Sequence, residues 1–266
     1  MSFSMRMGMG LGAMQNSGAS TESVWTIKPT ADGTKYFRIQ CATTGQTLTA
    51  TGGAEIKLTS GGTWGTSVDI PSGEVNRDVY FRGNGTGGKL LIPSPQNVTY
   101  LYINGTGTSI TGSINGMALT YLLLYGTGQY ITGSITGMEL TYLYLYNTGT
   151  SITGVPPAIG KTLQTFRILG GTSYNYPWTS QTWDATTKRT WTATSMSIDC
   201  VAAAPTPAQF NTWLLGLASV SNAGTATLTL KNTPTVDDLT AAGLIGAGSG
   251  YYAMTTTLGY TLSLGT

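Results

Sequence analysis

Asp184, beside a tryptophan-rich stretch, and Glu139, beside a tyrosine-rich one, are the carboxylates in this sequence best placed to do chemistry. A polysaccharide hydrolase needs only two carboxylates, so these two keep a polysaccharide-degrading enzyme in view. The rest of the usual catalytic vocabulary is missing. The sequence has no histidine, hence no Ser-His-Asp triad and no histidine metal site. Its 2 cysteines, Cys41 and Cys200, lie far apart and form no zinc motif; a disulfide and two buried thiols both stay open. Gly246-Ala247-Gly248-Ser249-Gly250 lacks the Lys-Ser/Thr ending of a phosphate loop. Solvated or turn-capping roles suit most of the 11 carboxylates. The expectation is a protein with no catalytic residue, no cofactor and no metal.

Aromatic side chains carry the stronger signal, and it is one of binding. The runs Tyr100-Leu101-Tyr102-Ile103-Asn104, Tyr121-Leu122-Leu123-Leu124-Tyr125 and Tyr142-Leu143-Tyr144-Leu145-Tyr146 alternate. Successive side chains of a strand face opposite sides. One side carries Leu101, Ile103, Leu122, Leu124, Leu143 and Leu145, an aliphatic core face. The other carries Tyr100, Tyr102, Tyr121, Tyr125, Tyr142, Tyr144 and Tyr146, with Asn104 and Leu123 between them. Tyrosine offers rigid, amphipathic contact area at low entropic cost. These seven rings are expected to form a contact face for a protein or a glycan. Residues 175–195 add Trp178, Trp183 and Trp191. Trp178 and Trp183 are expected to join that face; the alternative is a loop folded over the edge of the repeats with its rings buried.

What must position these side chains is a repeat. Leu101, Leu122 and Leu143 recur at one fixed interval, and so do Ile110, Ile131 and Ile152, and Gly112, Gly133 and Gly154. A fixed period of roughly 20–29 residues around a strand-like core predicts a solenoid. The recurring glycine marks a bend with no room for a side chain. Thr106, Thr127 and Thr148 would stack as a hydroxyl ladder. A fourth copy, from Leu163 to Gly170, follows at a slightly longer interval, with Val155-Pro156-Pro157-Ala158-Ile159-Gly160 taking up the excess. Val79-Tyr80-Phe81-Arg82-Gly83 stands one repeat length before Tyr100 and reads as a degenerate earlier copy, which would start the repeat near residue 68.

The flanks divide by pattern. Residues 1–22 form an arm of Met, Gly, Ser and Asn without a period. Arg6 and several glycines interrupt its apolar run, so a secretory signal is not expected. Met5, Met7, Met9 and Leu11 are candidates for docking on a partner. Residues 23–97 alternate in short strands with turn signals, giving a β-rich cap or small sandwich. Residues 98–174 are the repeat and 175–195 the tryptophan loop. Residues 196–266 read as an α/β cap. There Thr206 caps a helix with Pro207 at its first position, and Phe210, Trp213, Leu214 and Leu217 follow at helical spacing. Thr235 caps a second helix with Asp237 and Asp238 in its first turn. The fold class is thus mainly β, a leucine-rich-repeat-like solenoid with a β cap before it and an α/β cap after it.

Composition bounds the partners. Charged residues make up 9 % of the chain, against roughly 25 % in an average protein. The net charge of +2 and the absence of a basic stripe argue against nucleic acid. No stretch of about 18 apolar residues is present, so no membrane insertion is expected. A β-rich, charge-poor chain without an export signal fits a virus particle protein, assembled in the cytoplasm and released by lysis.

Leu140, Leu143 and Leu145, followed by Ile152-Thr153-Gly154, resemble the leucine-rich-repeat pattern. That family's buried Asn falls where this chain has Thr148, with Asn147 one place early. The closing segment, with Pro207, Gln209, Thr227-Leu228-Thr229-Leu230 and Gly259-Tyr260-Thr261-Leu262, is similar to the ends of repeat proteins encoded by tailed phages of gut bacteria. The resemblance covers residues 80–266. It implies a virion-associated tail or head fibre, or a capsid decoration subunit, homo-oligomeric and bound to other virion proteins. A host-surface glycan or protein would be a further partner. The alternatives are a secreted or cell-surface bacterial adhesin and a polysaccharide-degrading tail enzyme.

Overall fold

A computed structural model describes residues 22–28, 35–73, 76–83, 88–104, 110–127, 130–148, 151–160, 162–170, 174–199 and 204–265. Met5, Met7, Met9, Leu11, Thr106 and Cys200 lie outside the described residues.

The chain is mainly β, in several sheets. Alternation of apolar and polar residues sets the first strands: β1 Ser23–Ile27, β2 Tyr36–Cys41, β3 Gln46–Thr51, β4 Glu55–Lys57, β5 Ser67–Ile70, β6 Arg77–Arg82 and β7 Gly88–Ile92. These pair antiparallel and divide between two sheets. β1, β3, β5 and β7 belong to a seven-stranded sheet, and β2, β4 and β6 to a ten-stranded one. Trp25 of one sheet meets Phe37 of the other at 5.9 Å between ring centroids, so the two sheets share one core.

Both sheets continue into the repeat. β8 Val98–Asn104 pairs antiparallel with β2, and β9 Ile110–Ser113 pairs antiparallel with β1. From there each repeat adds one parallel strand to each sheet. β10 Tyr121–Tyr125 and β12 Tyr142–Tyr146 extend the row from β8, while β11 Ile131–Ser134 and β13 Ile152–Thr153 extend it from β9. β14 Ile159–Gly160 leaves this row. β15 Thr165–Leu169 joins β12, and β16 Trp183–Asp184 pairs with β14 as a small third sheet. β17 Met196–Ile198, β18 Thr227–Lys231 and β19 Thr261–Gly265 complete the ten-stranded sheet, each parallel to its neighbour. Register stacks the inward side chains in columns. Ile103, Leu124, Leu145, Ile168, Ile198 and Leu230 form one, and all are fully buried.

The parallel row begins at β8, not near residue 68. Val79 and Phe81 sit in β6, antiparallel to β2 and two strands away from β8. Alternation has period two in parallel and antiparallel strands alike, so spacing could not give the direction.

The bends explain the recurring small residues. A Cβ on Gly133 would lie 2.7 Å from Ile114, and one on Gly154 would lie 2.4 Å from the Thr136 hydroxyl. Gly126, Asn147 and Gly170 all take positive φ directly after a strand. Asn tolerates that left-handed geometry, which is why Asn147 stands one place before the buried position. Thr127 and Thr148 fill that buried position, each with 0 % exposure. Hydroxyl ladders run elsewhere: Thr120 Oγ1 donates to the Thr99 carbonyl at 3.1 Å, and Thr141 Oγ1 to the Thr120 carbonyl at 3.0 Å. These cross-repeat bonds satisfy backbone carbonyls between successive strands.

Two helices begin as their sequences predict. α1 Pro207–Ser219 has Thr206 and Gln209 in a reciprocal capping box, and buries Phe210, Trp213, Leu214 and Leu217. α2 Val236–Ala241 has the same box made by Thr235 and Asp238. Among the described residues no helix is long and apolar enough to cross a membrane. Cys41 is a buried thiol that accepts a hydrogen bond from Gln46 Nε2 at 3.2 Å.

Candidate functional site

The outward face of the ten-stranded sheet carries all seven tyrosines. In-register parallel pairing puts equivalent side chains about 4.8 Å apart, near the distance at which aromatic rings stack. Tyr100, Tyr121 and Tyr142 share one register position on β8, β10 and β12. Their rings stack at 4.1 and 4.2 Å, inclined by 13° and 10°. Tyr125 and Tyr146 form a second stack at 4.3 Å and 6°. The bare backbone of Gly170 lies against Tyr146, since a Cβ there would fall 2.4 Å from its ring. The middle column runs Tyr102, Leu123, Tyr144 and Arg167. The Arg167 guanidinium lies 4.7 Å from the Tyr144 ring centre, and that of Arg38 lies 5.7 Å from Tyr102.

The face extends beyond the repeat onto residues the sequence left unassigned. Arg38 is held by Asp78 through bonds of 2.6 and 3.2 Å. Tyr36 and Tyr80 face each other across β2 and β6 at 5.1 Å. Trp64 takes Lys57 at 4.3 Å and Arg82 at 4.4 Å, and Arg82 pairs with Glu55 at 2.7 Å. Alternation of Tyr36, Arg38 and Gln40 was the signal for this extension. Alternation alone does not give the neighbour of β2, and it is the pairing with β8 that places Arg38 beside Tyr102.

Burial tunes the groups on this face. Burial first, then the hydroxyls of Tyr100 and Tyr142, raise the Tyr121 phenol well above its ordinary value. Burial also raises Tyr144, against the opposing pull of Arg167. The bond to Asp78 holds the Arg38 guanidinium firmly protonated. Tyr121 and Tyr144 therefore stay neutral at physiological pH. Stacked rings spend their faces on each other, so the surface they offer outward is ring edge and hydroxyl. Such a surface suits flat packing against another protein better than stacking on a sugar.

Trp178 and Trp183 do not belong to this face. Phe166 points into the core, while its neighbour Arg167 lies outward against Tyr144. Tyr176 meets Phe166 at 5.5 Å, and Trp178 meets Tyr176 edge-on at 4.7 Å. Trp178 is 8 % exposed and packs on Phe210 and Trp213 at 5.8 and 5.4 Å. The tryptophan cluster thus sits on the core side of the sheet, opposite the tyrosines. Trp183 is half-buried there, 5.4 Å from Trp213. Phe210 and Trp213, spaced for the inner side of α1, supply the apolar partners that drew the tryptophan loop inward.

The two carboxylates singled out for chemistry have separate surroundings. Asp184 Oδ1 accepts from the Thr186 amide at 3.0 Å and from its hydroxyl at 2.5 Å, a turn-capping geometry. Glu139 borders a pocket of about 400 Å³ with Met138, Val155 and Pro156. Among the described residues no three of His, Cys, Asp and Glu come together as a metal site. Comparison with family models, with curated proteins and with solved structures finds no match to this chain.

Proposed function

We propose that this protein is a non-enzymatic structural subunit of a tailed-phage virion, a fibre or decoration protein that docks through its tyrosine face. Its architecture is a leucine-rich-repeat-like solenoid, opened by an antiparallel β sandwich and closed by α/β units. The single observation that carries the docking role is the pair of tyrosine stacks on the outer face, with Arg38 and Arg167 beside them. Core formation accounts for the aliphatic columns and leaves these rings unexplained. Tyr125 is 39 % exposed. Large contiguous aromatic surface on a charge-poor protein marks an interaction site. Tyr and Arg are the residues that dominate binding energy at interfaces.

The partner is a second copy of this chain or another virion protein, whose surface buries the ring edges and hydrogen-bonds the hydroxyls. Replacing Tyr102, Tyr125 and Tyr144 together by Ser tests this. The variant is expected to keep its circular dichroism spectrum and to be lost from purified particles. Incorporation at the wild-type level would refute the docking role.

A further inference from the structure

The core side of the sheet holds a second feature, which the tyrosine face does not involve. Between β16 and α1 lies a hollow of about 280 Å³ lined chiefly by Trp178, Gln181, Trp183, Gln209, Thr212 and Trp213. We propose that this hollow binds one neutral pyranose unit, stacked on Trp183.

Size, charge and ring exposure argue for that ligand class. Sites for drug-sized ligands run to about 300–1,000 Å³, so this one suits a single ring. None of the lining residues is charged, which leaves a phosphate, carboxylate or ammonium without an ionic partner. Trp178 and Trp213 are 8 % and 1 % exposed and meet at 74°, so they close the floor. Trp183 alone among the three is half-buried, and its indole rests on the bare backbone of Gly216, where a Cβ would lie 2.2 Å from the ring. One open aromatic surface matches the apolar face of a pyranose. A quaternary ammonium ion would instead need several ring faces converging.

The rim supplies polar groups of both kinds. Gln209 Oε1 accepts from the Thr206 amide at 2.9 Å in the capping box, which leaves the Gln209 amide nitrogen to donate. The Thr212 hydroxyl donates to the Ala208 carbonyl at 3.0 Å and so presents its lone pairs. Gln181 is fixed in the wall by its bonds to Pro157, Thr182 and the Tyr176 hydroxyl. An apolar platform edged by a donor and an acceptor is what a ring of hydroxyls requires.

The test is a titration of the full chain with methyl β-glucopyranoside, methyl β-galactopyranoside and N-acetylglucosamine. Glucuronate and choline serve as charged controls. Saturation-transfer NMR and tryptophan fluorescence are the readouts. At least one neutral sugar is expected to bind saturably, with a Kd on the order of 1 mM. Trp183→Ala and the milder Thr212→Val are each expected to weaken binding about tenfold, while Tyr102→Ser leaves it unchanged. An oligosaccharide of the bound sugar that binds more tightly identifies a polymer end as the source; equal affinity identifies the free sugar. The proposal is overturned if no neutral sugar binds, if both hollow variants bind like wild type, or if glucuronate or choline is preferred. That failure would leave the docking role standing, since particle incorporation reads only the tyrosine face.

Discussion

The Tyr121 and Tyr142 rings lie 4.2 Å apart and only 10° from parallel, on neighbouring strands paired in register. One repeat length thus fixes both the core column and the outer aromatic column. Shifting either strand by one residue would exchange the two faces.

The centre of the longer stack should matter for stability. Tyr121 has a ring on each side. Tyr121→Ala is expected to cost about 2–3 kcal/mol, whereas Tyr121→Phe keeps both stacks and costs at most about 1 kcal/mol. Urea unfolding followed by circular dichroism measures both.

Stability should fall in alkali. Folding raises the Tyr121 and Tyr144 phenols above their ordinary value of 10.0, chiefly through burial. Above that pH the unfolded chain releases these protons while the folded chain keeps them, so the unfolded state binds fewer protons and stability drops. Below it the stabilisation is fully present. Phenolate absorbance during a pH titration should show these two phenols ionising above the ordinary tyrosine value, with stability falling as they do.

Two glycines with positive φ should respond differently to alanine. Gly133 has φ +131 and Ile114 2.7 Å from its would-be Cβ; Gly137 has φ +80 and nothing within 4 Å. Gly137→Ala is expected to cost about 1–2 kcal/mol from the backbone alone. Gly133→Ala adds overpacking and should cost about 3 kcal/mol or more. Equal midpoints in thermal melts would contradict this account of the bend.

Trp178 should behave as a core residue. Trp178→Ala is expected to cost about 3–5 kcal/mol, while a ring lying on an open contact surface would cost within about 0.5 kcal/mol. Chemical denaturation distinguishes the two.

Particular residues show how much of this was legible in the sequence. Leu101, Leu122 and Leu143 stack as their spacing predicts, because side chains one repeat apart meet only if their strands pair in register. The tyrosines share a face for the same reason. Strand direction was not legible: Val79 and Phe81 alternate like repeat residues yet lie antiparallel to β2. The side taken by the tryptophan loop was hidden too. It depends on Phe210 and Trp213, which lie well beyond the loop in sequence and give Trp178 its apolar partners. Arg38 joined the site only through the pairing of β2 with β8, a contact between distant segments.

The docking role is tested most directly by comparing tyrosine nitration in the free chain and in purified virions, read peptide by peptide by mass spectrometry. The account predicts that Tyr102, Tyr125 and Tyr146 are modified in the free chain and protected in the particle. Equal modification of these three in both states, or absence of the chain from the particles, would contradict it.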